Sequence, residues 1–237
     1  MTGKPSGVGL GSRAQFGAAG GVRSLGDAFQ PNLAMGGGTY RVPIELPAGS
    51  GGLTPQLELQ YDTGSGNSPF GVGWSLSVPF IERQRPRAFA AESEPLYSLG
   101  GAQRLVHCTD DSYVVAVTDK LQRFSLSGNS WRSRTLTLVE LRFGENAGTR
   151  IEAEVDGVLR TQRWFIERSL HPGGREIRYE YLRDGAQLYL KTIRWSVFRA
   201  EFIYDPRPDP WSQFDAGFEL RTRLRCKRIE IHHERLA

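Results

Sequence analysis

Residues 53–77 read LTPQLELQYDTGSGNSPFGVGWSLS and hold the fold of this chain in miniature. Leu57, Leu59 and Tyr61 alternate with Glu58, Gln60 and Asp62, the period-two pattern of a strand with one buried face. The strand runs into a loop carrying Gly64, Gly66, Gly71 and Gly73, and the loop closes on Phe70 and Trp74. Glycine reaches backbone torsions that other residues occupy only with strain. The two aromatics bury enough area to fasten such a loop down. A flexible linker has no use for them. The segment reads as an ordered corner whose structural signature is Gly64, Gly66, Phe70, Gly71, Gly73 and Trp74. If the Trp74 ring is buried, Trp74→Ala costs about 3–5 kcal/mol.

Outward from the corner the alternation continues. Tyr40, Val42, Ile44 and Leu46 face one way, and Arg41, Pro43 and Glu45 the other. Pro43 lacks a ladder donor, which favours an edge position or a bulge. The run AGSGG (48–52) serves as a hairpin connection longer than the tight two-residue type. Further strands are predicted at 113–118, 121–126, 136–143, 150–155, 161–167, 176–182, 188–195, 200–204, 218–225 and 227–232. They recur about every 10–15 residues with Gly, Asn, Asp or Pro between them. Hairpin turns are expected at 144–148 and 172–174, and a proline-stiffened loop at 205–211 (DPRPDPW). Residues 93–99 form at most one helical turn, and no internal repeat is present. The pattern predicts an all-β protein, a large antiparallel sheet or sandwich with long loops and little helix. Residues 1–38, rich in glycine and other small residues, read as a disordered tail with a short turn near 24–33. Residues 39–237 form one domain.

Composition fits that picture. A chain of 237 residues buries about 70–75% of its unfolded surface as a single domain. The 28 glycines suit many turns. No stretch approaches the ~18 apolar residues of a membrane helix, and the first residues contain no apolar core of a secretory signal. Cys108 and Cys226 are too few for a disulfide scaffold. They read as small half-buried hydrophobes, with a single bridge between them the lesser alternative. The formal charge is +4, and Arg221, Arg223, Arg225, Lys227 and Arg228 crowd together late in the chain. In a strand the first four share a face. They make either a phosphate-binding ridge or a solvated face that guards a strand against wrong pairing. No interleaved aromatics or nucleic-acid motif support the first reading, so no nucleic-acid partner is expected.

The succession YRVPIEL (40–46), PAGSGGLTP (47–55), LELQYDTGSGN (57–67) and SPFGVGWSLS (68–77) resembles the opening domain of the SpvB family, shared with the B component of bacterial insecticidal toxin complexes (Tc toxins). LGGAQRL (99–105), WFIERSLHPGGREIRYEYL (164–182) and FDAGFELRTRLRCKRIEI (214–231) come after it in the same order, so the resemblance covers residues 36–233. It implies a non-catalytic domain that contributes to a β-shell or docks another toxin polypeptide. The partners it implies are other toxin-complex or tyrosine-aspartate (YD) repeat polypeptides. The YD repeats of longer relatives are missing here, which suggests a truncated relative, a split-gene piece or a stand-alone subunit. The implied location is outside the cell, reached without a classical signal, with the cytoplasm as the alternative before assembly.

Two rival readings belong to other classes. Some family members carry a mono-ADP-ribosyltransferase domain with a catalytic Glu-x-Glu. Glu92-Ser93-Glu94 has that form but lies in a polar linker, and no ribosyltransferase domain accompanies it. The triplet reads as solvated loop and the chain as no enzyme; a module associated with such a toxin is the alternative. Trp131, Trp164, Trp195 and Trp211, set among Arg and Glu, would suit a carbohydrate-binding module, but core packing is the commoner use of such residues.

Other chemistry fails on spacing. Val72 stands where a P-loop needs lysine, and Pro69 occupies the third glycine position of a dinucleotide fingerprint. Ser68, followed by proline, does not sit in a Gly-x-Ser-x-Gly elbow. His107, Cys108, His171, His232 and His233 show no closed metal-ligand spacing, and His171 is expected to be exposed in a turn. No catalytic, cofactor-binding or metal-ligating residue is nominated.

Overall fold

The computed structural model describes residues 29–32, 37–84, 95–116 and 122–234. The Glu92-Ser93-Glu94 triplet and the turn near residue 24 lie outside them, as does most of the tail. Among the described residues every regular element is a strand except two single-turn 3-10 helices, Ser50–Gly52 and Ala147–Thr149. The all-β expectation holds.

A small antiparallel sheet comes first: β1 (Phe29–Asn32), β2 (Gly37–Ile44), β3 (Leu57–Asp62) and β6 (Trp74–Leu76), in that order. β1 falls within the stretch read as tail and pairs only with Gly37 to Tyr40 of β2. At Pro43, therefore, β2 has a described strand neighbour on one side alone, β3, and the missing N–H falls on the unpaired side, where it does least harm. Two short strands, β4 (Asn67–Ser68) and β5 (Gly71–Val72), form a miniature hairpin inside the signature loop.

The large sheet contains β7 (Phe80–Gln84), β8 (Leu96–Leu99), β9 (Gln103–His107), β10 (Ser112–Val115), β11 (Gln122–Ser127), β12 (Ser130–Thr135), β13 (Glu140–Phe143), β14 (Arg150–Val155), β15 (Val158–His171), β16 (Arg175–Asp184), β17 (Gln187–Trp195), β18 (Phe198–Gln213) and β19 (Leu220–His233). β7 through β13 pair in sequence, except that β15 lies on the far side of β7 and also pairs β13. The eight strands β7 to β13 plus β15 thus close into a barrel. The sheet curls into a barrel rather than splitting into a sandwich, and closure leaves those strands no free edge. β14 pairs β15 beyond the ring, while β16 to β19 continue the sheet outward from β15.

Each ring strand sends a large side chain into one core: Ile81, Tyr97, Leu105, Val115, Phe124, Trp131, Phe143 and the pair Trp164 and Ile166, all buried. Edge-to-face contacts link Tyr97, Tyr113, Trp131 and Trp164 at centroid distances of 4.8–6.1 Å. The interior is filled, as expected for a barrel of this strand number. The same core continues under β16 to β19 through Ile177, Ile193, Trp195, Ala200 and Phe202, and takes in Leu57 of the small sheet. The small sheet is clasped there. Trp195 Nε1 donates to Pro47 O at 3.0 Å, Arg175 to Gly51 O at 2.9 Å, and the Ser50 and Ser196 hydroxyls meet at 2.8 Å.

Several sequence expectations shift. β12 has no counterpart among the predicted strands, and the stretch read as a strand at 136–143 begins only at Glu140. Residues 96–99 are strand, not helix. The segment at 144–148 is no hairpin turn, because β13 and β14 both pair β15 instead of each other. The two late strands are one, β19. The supposed loop at 205–211 belongs to β18, where pairing passes from Pro206↔Leu224 to Trp211↔Thr222 and leaves four residues out of register as a bulge. Opposite the bulge, Arg223 gives its N–H to the Tyr189 hydroxyl at 2.9 Å.

The outer face carries a feature that no local pattern announces. Arg132↔Arg142, Arg142↔Arg168, Arg168↔Arg178, Arg178↔Arg194, Arg194↔Arg199 and Arg199↔His232 are all register partners. They form one basic row across seven strands, about 29 Å long at strand spacing. Directly opposed like charges destabilise a sheet, so glutamates interleave with the row. Arg142 pairs with Glu140 at 2.7 Å, Arg168 with Glu176 at 2.6 Å and Arg194 with Glu234 at 2.6 Å. The result is a ladder of alternating charge.

Candidate functional site

The corner at residues 53–77 is where the small sheet, β18 and β19 meet. Gly73 is required twice over. Its φ is +77°, and a Cβ there would lie 2.5 Å from Cε2 of Tyr61 and 3.1 Å from Asp62 O. Its N–H donates to Gly66 O and its carbonyl accepts from Asp62 N, both at 2.9 Å. Gly71 also has positive φ, +119°. Gly64 and Gly66 do not share that demand. Gly64 gives its N–H to Asp62 Oδ1 at 2.7 Å, and nothing crowds Gly66.

The two aromatics do different work. Phe70 is half-buried and packs on the main core. Trp74 is half-buried too, standing 5.3 Å from the Tyr61 ring and edge-on to Tyr40 at 6.3 Å. It belongs to the small sheet's aromatic cluster. Ser68 supplies the internal brace: its Oγ accepts from Phe70 N at 3.0 Å and donates to Trp74 O. The hydroxyl is thus engaged by backbone on both sides and faces no base.

The residue that completes the corner is Arg207, which the sequence reading did not single out. It sits in the β18 bulge with its side chain 5% exposed. Its guanidinium donates to Ser68 O and to Asn67 Oδ1, each at 3.1 Å, and to both carboxylate oxygens of Asp209 at 3.0–3.1 Å. That contact holds the Asp209 carboxyl below its usual range. Cys226 N donates to Pro69 O at 2.7 Å, which ties the same hairpin to β19. One signal for Arg207 was available, an arginine between two prolines. Rigid flanks fix where such a side chain points.

The remaining candidates scatter. Trp131, Trp164 and Trp195 are core residues, 0–4% exposed. The basic row Arg221, Arg223, Arg225 and Lys227 does share one exposed face of β19. Arg223 is bonded to Asp184, Lys227 pairs with Asp205 at 2.9 Å, and Arg225 lies close enough to Asp209 to lower its pKa. Most of its charge is answered within the sheet. Cys108 and Cys226 are free and half-buried, and burial pushes the Cys226 thiol up to about 11. His171 is half-buried rather than exposed. It sits 2.9 Å from Ser169 Oγ, and burial with Arg175 nearby lowers its pKa. Among the described residues, no three His, Cys, Asp or Glu side chains are grouped as metal ligands.

This geometry can be set beside known proteins. The SpvB family, described as the Salmonella virulence plasmid 65kDa B protein, matches residues 32–125 and 194–235. The chain belongs to the SpvB family. The two matched segments contain the signature corner and both strands of the β18–β19 hairpin that braces it. Mono(ADP-ribosyl)transferase SpvB of Salmonella choleraesuis is 24% identical over 86% of this chain and 50% of that protein. The Salmonella typhimurium protein of the same name is also 24% identical. The chain spans about half the length of the curated relatives it matches. Among solved structures, TcdB2-TccC3 superposes on 95% of this chain with a TM-score of 0.75 at 19% identity, using 15% of its own chain. The N-terminal domain of the effector SpvB from Salmonella typhimurium covers 81% of this chain and 87% of that domain, with a TM-score of 0.68 at 20% identity. The fold is the one these two share. No helix among the described residues is long and apolar enough to cross a membrane.

Proposed function

We propose that this chain is a non-catalytic structural domain of a toxin or virulence polypeptide, acting as a piece of wall and as a docking surface for another toxin polypeptide. The observation that carries this reading is the fit of nearly the whole chain to 15% of TcdB2-TccC3. The same architecture serves there as one part of a much larger body, and in SpvB as an N-terminal domain. The packing is consistent with a wall. Tyr97, Trp131 and Trp164 fill the barrel, so it encloses no cargo of its own. The expected partners are toxin-complex or YD-repeat polypeptides, encountered outside the producing cell.

Co-expression with a YD-repeat polypeptide encoded nearby tests the proposal. A stable complex with new protease protection on this chain supports it. Titration with NAD tests the enzymatic alternative. Saturable NAD binding, or self-modification with labelled NAD, overturns the non-catalytic reading. A chain that stays monomeric and binds no such polypeptide overturns the docking role.

A further inference from the structure

Among the described residues, barrel closure leaves the large sheet one long open border, the outer side of β19. Among the described residues, β18 is the only strand paired with β19. Glu234 N donates to Val197 O at 2.7 Å, so alternate residues 232 and 230 also turn their backbone groups toward β18. Ile229, Ile231 and His233 turn theirs away. Toward residue 226 the border is sealed by the Pro69 carbonyl, which limits the open stretch to residues 228–234. Ile231, on the core-facing side, is 41% exposed, with no described strand beside it. A groove of about 380 Å³, lined by Leu59, Trp74, Arg228 and Ile229, leaves room next to the open stretch.

On the outer face this stretch reads Arg228, Glu230, His232, Glu234. Turned antiparallel about Ile231, the same four residues read Glu, His, Glu, Arg. Arg228 then faces Glu234 of a second copy, and Glu230 faces its His232, opposite in charge when that imidazole is protonated; these contacts add to the Arg228–Glu230 and Arg194–Glu234 pairs within each chain. Ile231 meets Ile231 as a hydrogen-bonded pair that uses the outward N–H and C=O groups. We infer that two copies of this chain pair through β19, antiparallel about Ile231, joining their large sheets into one. The occupant of the border is a second copy, because the charge order complements itself in that register. Cross-strand pairs of opposite charge stabilise a sheet, and a two-fold interface needs such self-complementarity. The inference stands apart from the toxin-partner reading, and either can fail without the other.

Sedimentation of the full chain over a wide concentration range, with three variants, is the test. The unmodified chain should show a concentration-dependent monomer–dimer equilibrium. Ile231→Pro keeps the β18 ladder, since that N–H points outward, and should weaken dimerisation at least about tenfold while leaving the far-ultraviolet spectrum unchanged. Register is tested in a Cys108→Ser, Cys226→Ser background. Ile231→Cys should oxidise to a covalent dimer, because directly opposed residues lie about 5.5 Å apart, within disulfide reach. Ile229→Cys, which would face His233, should not. The Cys variants decide the matter if the proline variant fails to fold. A monomer at every concentration overturns the inference, as does dimerisation untouched by Ile231→Pro, equal cross-linking of both Cys variants, or an open stretch that binds only a different polypeptide.

Discussion

Removing Arg207 tests whether the signature corner is held from outside or stands by its own glycines. Its guanidinium is buried and donates to two acceptors of the miniature hairpin, Ser68 O and Asn67 Oδ1. Hydrogen bonds from a charged donor contribute about 1.5–3 kcal/mol each, and a stranded buried acceptor is costly to leave. The Asp209 pair adds little, because that carboxylate is 65% exposed. Taking the lower figure for both acceptors, Arg207→Ala should cost about 3 kcal/mol. For a domain of this size that is a fall in Tm of about 6–12 °C. Arg207→Lys keeps the charge but reaches at most one acceptor well, and should lie between. Calorimetry or a circular-dichroism melt gives the magnitude. Amide exchange gives the place: the Cys226 N–H, held by Pro69 O, should lose protection before the barrel amides do. A Tm change below about 2 °C, or exchange that rises uniformly over the barrel, would refute the brace.

Three further outcomes are expected. Gly73→Ala forces a Cβ into the Tyr61 ring at positive φ and should cost about 2–4 kcal/mol, while Gly66→Ala, with open space around it, should change Tm by less than about 2 °C. Trp74→Ala should cost about 2–3 kcal/mol in denaturant melts, below the value for a fully buried ring, because the side chain is only half-buried against Tyr40 and Tyr61. Stability should decline in alkali. The folded Cys226 thiol is raised from 9.0 to about 11, so its contribution is complete below pH 9 and is lost as pH rises through 11. The buried Tyr179, Tyr181 and Tyr204 phenols, also raised by burial, push the same way. Thermal melts from pH 7 to 11 should show the decline beginning near pH 9, and Cys226→Ala should soften it.

The sequence revealed strands where one face is apolar and the other is not. The strand predicted at 150–155 matches β14 to the residue, and 188–195 differs from β17 by one position at the start. β12 escaped because only Trp131 on its inner face is apolar; Ser133 is buried behind it, and the arginines between look like loop. β18 escaped in part because three prolines read as breakers, whereas a bulge accommodates them without ending the strand. Of the corner, the glycines and aromatics were legible as shape. The need for Gly73 over Gly66 was not, since it depends on how close the Tyr61 ring comes. Arg207 lies 139 residues from Ser68 in sequence, and no local pattern spans that distance.

Barrel closure escaped for the same reason, and the arginine row depends on it. Closure rests on β13 meeting β15 through a bulge between Arg142 and Phe143. That bulge lets Phe143 and Ile166 share the interior while Arg142 and Arg168 share the outside. Without it, one partner of each pair would face the wrong way, because a one-residue slip exchanges the two faces of a strand. The row then carries the same rule past the barrel to β19. A one-residue slip anywhere along it would bury an arginine, and a two-residue slip would separate arginines from the glutamates that answer them. Charges that contribute little individually on a surface therefore specify register collectively over seven strands. The proposed role as a wall asks for that specification more than for added stability. The row ends at His232, on the strand that, among the described residues, leaves the large sheet its long open border.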